Sequence, residues 1–221
     1  MIGFVVTAGA IFACGLAVSD RLWTPERAER VLSGAVVGLA IWLAANWLLA
    51  VTHLFYKSAL IGVAAVMAIV AIALRPRVSL RVSPLLVPIA LWTLFALWKG
   101  FVLPPQTHDA LAYHLPKAAM MVQAHGFEHF VAPDPRIASL PANYELLLAD
   151  VLAMSGSDTC TEWLGTLFFL FFLCATAAMA ERFWPEHPHR AATALAAAGA
   201  PLLLLHSTAD KNDVLVAALC V

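Results

Sequence analysis

The sequence predicts an all-α fold, a polytopic transmembrane helical bundle with a long outer loop bearing two juxtamembrane helices. Three observations predict it. Hydrophobic residues make up 62% of the 221 and charged residues 12%, where a soluble domain holds about 45–50% and about 25%. The apolar residues gather in runs near the roughly 20 that a spanning helix needs. All the basic residues but Lys99 fall in linkers between those runs, and they favour alternate linkers. A net charge of −1 leaves no basic tract for nucleic acid and no acidic tail.

The first run, 2–18, is followed by Arg21 rather than preceded by a cation. That pattern favours a retained helix with its N-terminus outside over a cleaved signal peptide. Phe12 stands where a lipoprotein signal ahead of Cys14 needs a small residue. Further runs cover 31–52, 58–74 and 84–103. Each has to be helical, because lipid offers no partner to a backbone N–H or C=O. Pro104 and Pro105 end the fourth. Beyond the outer loop come runs at 160–180 and 191–205, and one that opens near Val214 and reaches Val221. About seven crossings are expected, the last cut off, which suggests a partial chain. Cys14, Cys160, Cys174 and Cys220 form no C-x-x-C pair and read as small hydrophobes.

The linkers set an orientation. Arg21, Arg27, Arg30, Arg75, Arg77, Arg81, Arg182 and Arg190, eight of the 13 basic residues, lie in 19–30, 75–83 and 181–190. The positive-inside rule makes these linkers cytoplasmic. Residues 104–159 and 206–213 then lie outside, with Lys57, Lys99, Lys117, Arg136 and Lys211.

The outer segment 104–159 begins with a helix from Thr107 or Asp109, either of which can cap it, to about His125, stopped by Gly126. Leu111, Leu115, Ala118, Ala119 and Val122 recur at helical spacing, so the helix is expected to lie along the outer membrane face, kinked at Pro116. Residues 126–142 are rich in turn formers. A second helix, 143–154 with Asn143 as cap, is too short to span and reads as interfacial or re-entrant.

Asp109 stands just beyond a span, where its carboxylate meets the membrane surface. Tyr113, four residues on, shares its helix face, while His114 is turned about 140° away. The bland alternative is a helix N-terminal charge. Asp210, Lys211, Asn212 and Asp213 cluster between two apolar runs on the same outer side. Ionisable groups at such a boundary mark a site inside the bundle, or else an ordinary polar turn. Lys117, Arg136 or Lys211 can hold a phosphate, or snorkel to head groups. His108, His114, His125 and His129 form no metal-ligand framework, so a divalent metal is not favoured and no cofactor is expected; His187 and His189 read as loop residues. No glycine-rich phosphate loop or nucleophile elbow occurs.

The stretch 108–158 resembles the first outer loop of GT-C-type membrane glycosyltransferases, relatives of protein O-mannosyltransferases and of the lipid A aminoarabinose transferase. The matching features are D-x-x-x-Y-H-L-P-K from Asp109 to Lys117, Arg136 followed by P-x-N-x-E with Asn143 and Glu145, and the closing Gly156-Ser157-Asp158. STADKNDV, 207–214, resembles the family's second outer-loop acidic motif. The resemblance covers about 84–221 and leaves 1–83 as three accessory helices. It implies a bacterial cytoplasmic membrane enzyme that takes a sugar from a polyprenyl-phosphate donor. Asp109 would be the catalytic acidic residue and Asp213 or Asp210 its second-loop counterpart, with Tyr113, His114, Lys117, Arg136, Asn143, Glu145, Lys211 and Asn212 binding substrate. Family members are typically much longer, so the resemblance also implies a fragment that lacks activity by itself. The alternatives are a transporter or flippase of a lipid-linked substrate, which expects charge buried at mid-span, and a non-catalytic membrane protein. Asn46 is the main polar residue within a span.

Overall fold

A computed structural model describes residues 2–22, 27–76, 86–128, 134–139, 142–186, 192, 195–197 and 199–220. These residues are helical or in turns, with no strand among them. Four helices are long and apolar enough to cross a bilayer: α1 (Ile2–Leu22), α2 (Arg27–Val51), α3 (Lys57–Leu74) and α8 (Trp163–Phe183). They coincide with four of the seven expected runs. The fourth run forms α4 (Leu86–Val102), whose 17 residues rise about 25 Å, short of a hydrocarbon core of roughly 30 Å. The run 191–205 is described only in part and ends in the six-residue α9 (Pro201–His206). The last described element is α10 (Asp213–Cys220). His129, Pro141, His187, His189 and all of 77–85 and 187–191, with Arg77, Arg81 and Arg190, lie outside the described residues.

The exposed faces of the spans are apolar. On α3 a single stripe, Leu60, Ala64, Met67 and Ala71, is buried, while Ile61, Val66, Ile69 and Ile72 are exposed. Lipid is the solvent that this pattern suits, and lipid tails give helices no hydrophobic push together. Close packing and hydrogen bonds must hold them instead. α1 and α2 meet where Gly34 and Gly38, four residues apart, face α1. A Cβ on Gly38 would lie 2.4 Å from the carbonyl oxygen of Ile11, and one on Gly15 would lie 2.5 Å from the Gly38 nitrogen. Only hydrogen fits there, so small residues set the crossing.

α7 (Asn143–Ser155) is enclosed by protein. Every residue from Tyr144 to Val151 is buried, against α1, α2, α3 and α5 (Leu115–Ala124). A helix with apolar residues on every face belongs in an interior, and one too short to span is tolerated at depth only inside protein. Its cap is Ala142, with no side-chain hydrogen bond. Asn143 instead accepts a bond from Trp47 Nε1, 2.7 Å. α8 packs against α2, α4 and α10 and buries a row of phenylalanines, including Phe168, Phe169 and Phe172. The core is continuous from Cys14 to Ala218.

Candidate active site

The helix expected after Thr107 is present but changes its winding. Residues 110–114 form a π turn that leads into α5, with Leu115 N–H bonded to Ala110 O. Pro116 supplies the reason. It has no N–H to return to the preceding turn, and the widened turn absorbs the lost bond without a break. The wide turn shifts the helix phase: Ala110, His114, Leu115, Lys117, Ala118 and Met121 are buried, while Leu111, expected on the apolar stripe, is 55% exposed. Asp109 has helical φ and ψ and makes no capping bond. The helix ends on His125, which takes the left-handed conformation expected of Gly126. Gly126 is needed for a different reason: a Cβ there would lie 2.2 Å from the Ala50 carbonyl oxygen of α2.

Asp109 is the centre of a surface charge cluster. Its Oδ2 accepts from Lys211 Nζ at 3.0 Å, and its Oδ1 lies 3.8 Å from Arg136 Nη1 and 3.7 Å from His108 Nδ1. Arg136, on the short α6 (Pro135–Ser139), also pairs with Asp134 at 2.7 Å and lies over the Tyr113 ring, 4.4 Å from its centroid. The Lys211 hydrogen bond holds the Asp109 carboxyl below its ordinary value, against the opposing effect of partial burial. Shielding at this position is expected to raise it; the ammonium outweighs that. Burial, and then Asp109, push the Tyr113 hydroxyl up. Asp109 is 34% exposed at its side chain, so the cluster is open to a ligand.

The loop 207–212 is pinned from below. Trp92 of α4 donates to Ser207 Oγ at 3.0 Å, Thr166 of α8 to Ser207 O at 3.1 Å, and Lys99 Nζ to Thr208 O at 2.8 Å. Gly165 allows this approach, since a Cβ there would lie 2.7 Å from Ala209 O. The loop's two acids then have opposite fates. Asp210 is fully buried, with Oδ2 accepting from Thr161 at 2.8 Å and Oδ1 unpartnered. Burial raises its carboxyl to about 7. Asp213 is exposed and pairs with His206 at 3.0 Å. Its charge reaches Tyr113 and Lys211.

Behind the cluster, His114 Nδ1 bonds Glu145 Oε1 at 2.7 Å, both side chains buried. Lys117 is buried beside them; desolvation lowers its ammonium, and Glu145 partly restores it. Of the residues singled out from sequence, Asp109, Tyr113, Arg136 and Lys211 come together at the surface. His114, Lys117, Glu145 and Asp210 lie beneath it. Asn143 faces α2, and Asn212 is exposed beside Lys211. Sequence reasoning missed the Lys99–Glu162 ion pair, which ties α4 to the start of α8. It also missed Asp150, whose Oδ2 accepts from Trp42 Nε1 at 2.7 Å and Asn46 Nδ2 at 2.6 Å. An acid inside the apolar LLLADVLAM was the available signal. No three described His, Cys, Asp or Glu residues group as metal ligands. No protein-family model, curated protein or solved structure matches the chain.

Proposed function

We propose that this multi-pass membrane protein carries a glycosyl-transfer site, moving a sugar from a polyprenyl-phosphate donor to a hydroxyl acceptor. The observation that carries the reading is the 3.0 Å pair of Asp109 with Lys211. It joins the two segments whose motifs resemble the first and second outer loops of GT-C-type enzymes. In this reading residues 84–221 form part of the catalytic core and 1–83 are accessory helices. About seven apolar runs enter the membrane, the last of them incomplete, and the Arg-rich linkers face the cytoplasm of a bacterial cell.

The chemistry needs a proton acceptor, negative charge near the anomeric carbon, and partners for the departing phosphate. The acceptor oxygen bonds to the anomeric carbon and gives its proton to Asp109. The bond from that carbon to the phosphate oxygen breaks, and its electron pair leaves on the phosphate. Lys211 and Arg136 are the cations within reach of that phosphate. As they turn to it, Asp109 loses the contact that depresses its basicity, so donor binding itself activates the base. Asp213 is the better placed second carboxylate, because it is exposed beside Lys211, whereas Asp210 is buried.

Replacing Asp109 with Asn is expected to lower transfer about 10²–10⁴-fold, the usual worth of a general base, with unchanged expression in membranes. Transfer at the parent rate overturns the assignment. Asp150 within the bundle gives a second reading, a transporter of a lipid-linked substrate, some weight. Substrate uptake into sealed vesicles without transfer would favour it.

A further inference from the structure

A second site lies away from the charged surface. A cavity of about 340 Å³ opens between α1, α2, α7 and α8, within the roughly 300–1,000 Å³ range of small-molecule sites. Its wall is apolar, with Phe4, Ile11, Leu39 and Phe168 among its lining, and it reaches the outer surface of the bundle at Phe12 and Leu167, both exposed. Phe12 lies within α1 and Leu167 within α8, two of the candidate spans, so a molecule entering between them comes from the lipid. Two oxygen-bearing side chains line the cavity, Thr7 and Asp150.

Asp150 is only 4% exposed and its Oδ1 has no hydrogen-bond partner. Leaving a buried polar atom unpaired is costly, and at membrane depth no bulk water relieves it. Oδ2 already accepts two N–H groups, from Trp42 and Asn46. In a neutral carboxyl, Oδ2 therefore takes the carbonyl role and Oδ1 carries the proton. In an ionised one, Oδ1 is a bare acceptor. A hydroxyl group is the head that satisfies both forms, accepting in the first case and donating in the second. Thr7, whose hydroxyl donates to Met154 Sδ at 3.7 Å, keeps lone pairs as a second acceptor on the wall. A phosphate is excluded by charge, because the described lining holds an acid and no cation.

We propose that this cavity binds a neutral amphiphile with one apolar chain and a terminal hydroxyl, seated with its hydroxyl on Asp150. The site stands independently of the transfer reaction. The test uses the purified chain in phosphatidylcholine nanodiscs, with a diazirine-bearing dodecanol and the matching diazirine-bearing dodecane as photoprobes. Labelled residues are mapped by mass spectrometry. The alcohol is expected to label Phe12, Leu39 and Leu167 about two- to tenfold more than the alkane, the worth of one net hydrogen bond. Asp150→Leu should erase that preference, whereas Asp150→Asn, which keeps a donor for the head, should retain it. Equal labelling by the two probes in the parent protein shows a pocket for any acyl chain and overturns the proposal, as does an unchanged preference in Asp150→Leu. If the leucine variant does not fold, competition in the parent decides. Unlabelled dodecanol must protect the wall at a concentration about two- to tenfold lower than dodecane does, and equal protection by both, or protection by neither, overturns the assignment.

Discussion

Asp109 and Asp210 are carboxylates of one candidate site with opposite environments, and each environment has a measurable consequence. Asp109 is held below its ordinary value by Lys211. A carboxyl depressed in the folded state adds stability above the ordinary carboxylate range and loses it as pH falls through the folded value. Lys211→Met is therefore expected to cost less than about 1 kcal/mol at neutral pH, as exposed pairs do. Denaturant unfolding in detergent should show the difference from the parent closing on acidification. Asp210 behaves in the reverse sense. Its carboxyl is raised from 3.8 to about 7, so between those values the unfolded chain releases a proton that the folded chain keeps, and stability falls as pH rises. Asp210→Asn should flatten that decline; an unaltered pH profile of the unfolding midpoint would show that Asp210 is ionised in the fold. From sequence both acids stood out by position, at boundaries between apolar runs and outer loops. Their difference did not, because it depends on which one Thr161 and α8 cover.

Local winding depends on single residues at two places. Pro116 turns an ordinary amphipathic helix into one with a π turn, and that turn decides that His114 meets Glu145 while Asp109 stays at the surface. The proline was legible in the sequence; the shift of the buried face was not, since a period of 3.6 was assumed across the whole segment. The α1–α2 crossing rests on glycines whose spacing, Gly34 to Gly38, is a G-x-x-x-G pattern in an apolar helix, a signal that reasoning from span hydropathy passed over. Gly38→Leu would drive a side chain into the Ile11 backbone, and overpacking of this kind costs about 1–3 kcal/mol or more. Gly62 on α3 is the contrast: nothing lies within 4 Å of its Cβ position. Gly62→Ala is expected to stabilise by about 0.5–1 kcal/mol through helix propensity. Thermal unfolding of both variants measures the pair, and a loss in each would show that α3's outer face is covered.

Across the whole molecule, the proposed orientation rests on the positive-inside rule applied to the arginines. With the Arg-rich linkers inside, a cysteine placed at the exposed Asn212 should react with a membrane-impermeant maleimide in intact cells. One placed at Arg182, 76% exposed at its side chain, should react only after the membrane is opened, and the reverse pattern would invert the topology. The sequence by itself determined the all-α membrane class, the positions of α1, α2, α3 and α8, and the non-spanning segments that hold Asp109 and Lys211. It could do so because run length, hydropathy and proline act locally. Only the tertiary structure decided that α7 sits inside the bundle, that Lys211 reaches Asp109, and that Asp150 is buried against Trp42 and Asn46. Those depend on which helices pack together. In a lipid solvent, where every span is apolar on all sides, hydropathy does not say which face finds protein and which finds lipid. Small residues and buried hydrogen bonds make that choice, and they act only between segments far apart in the chain.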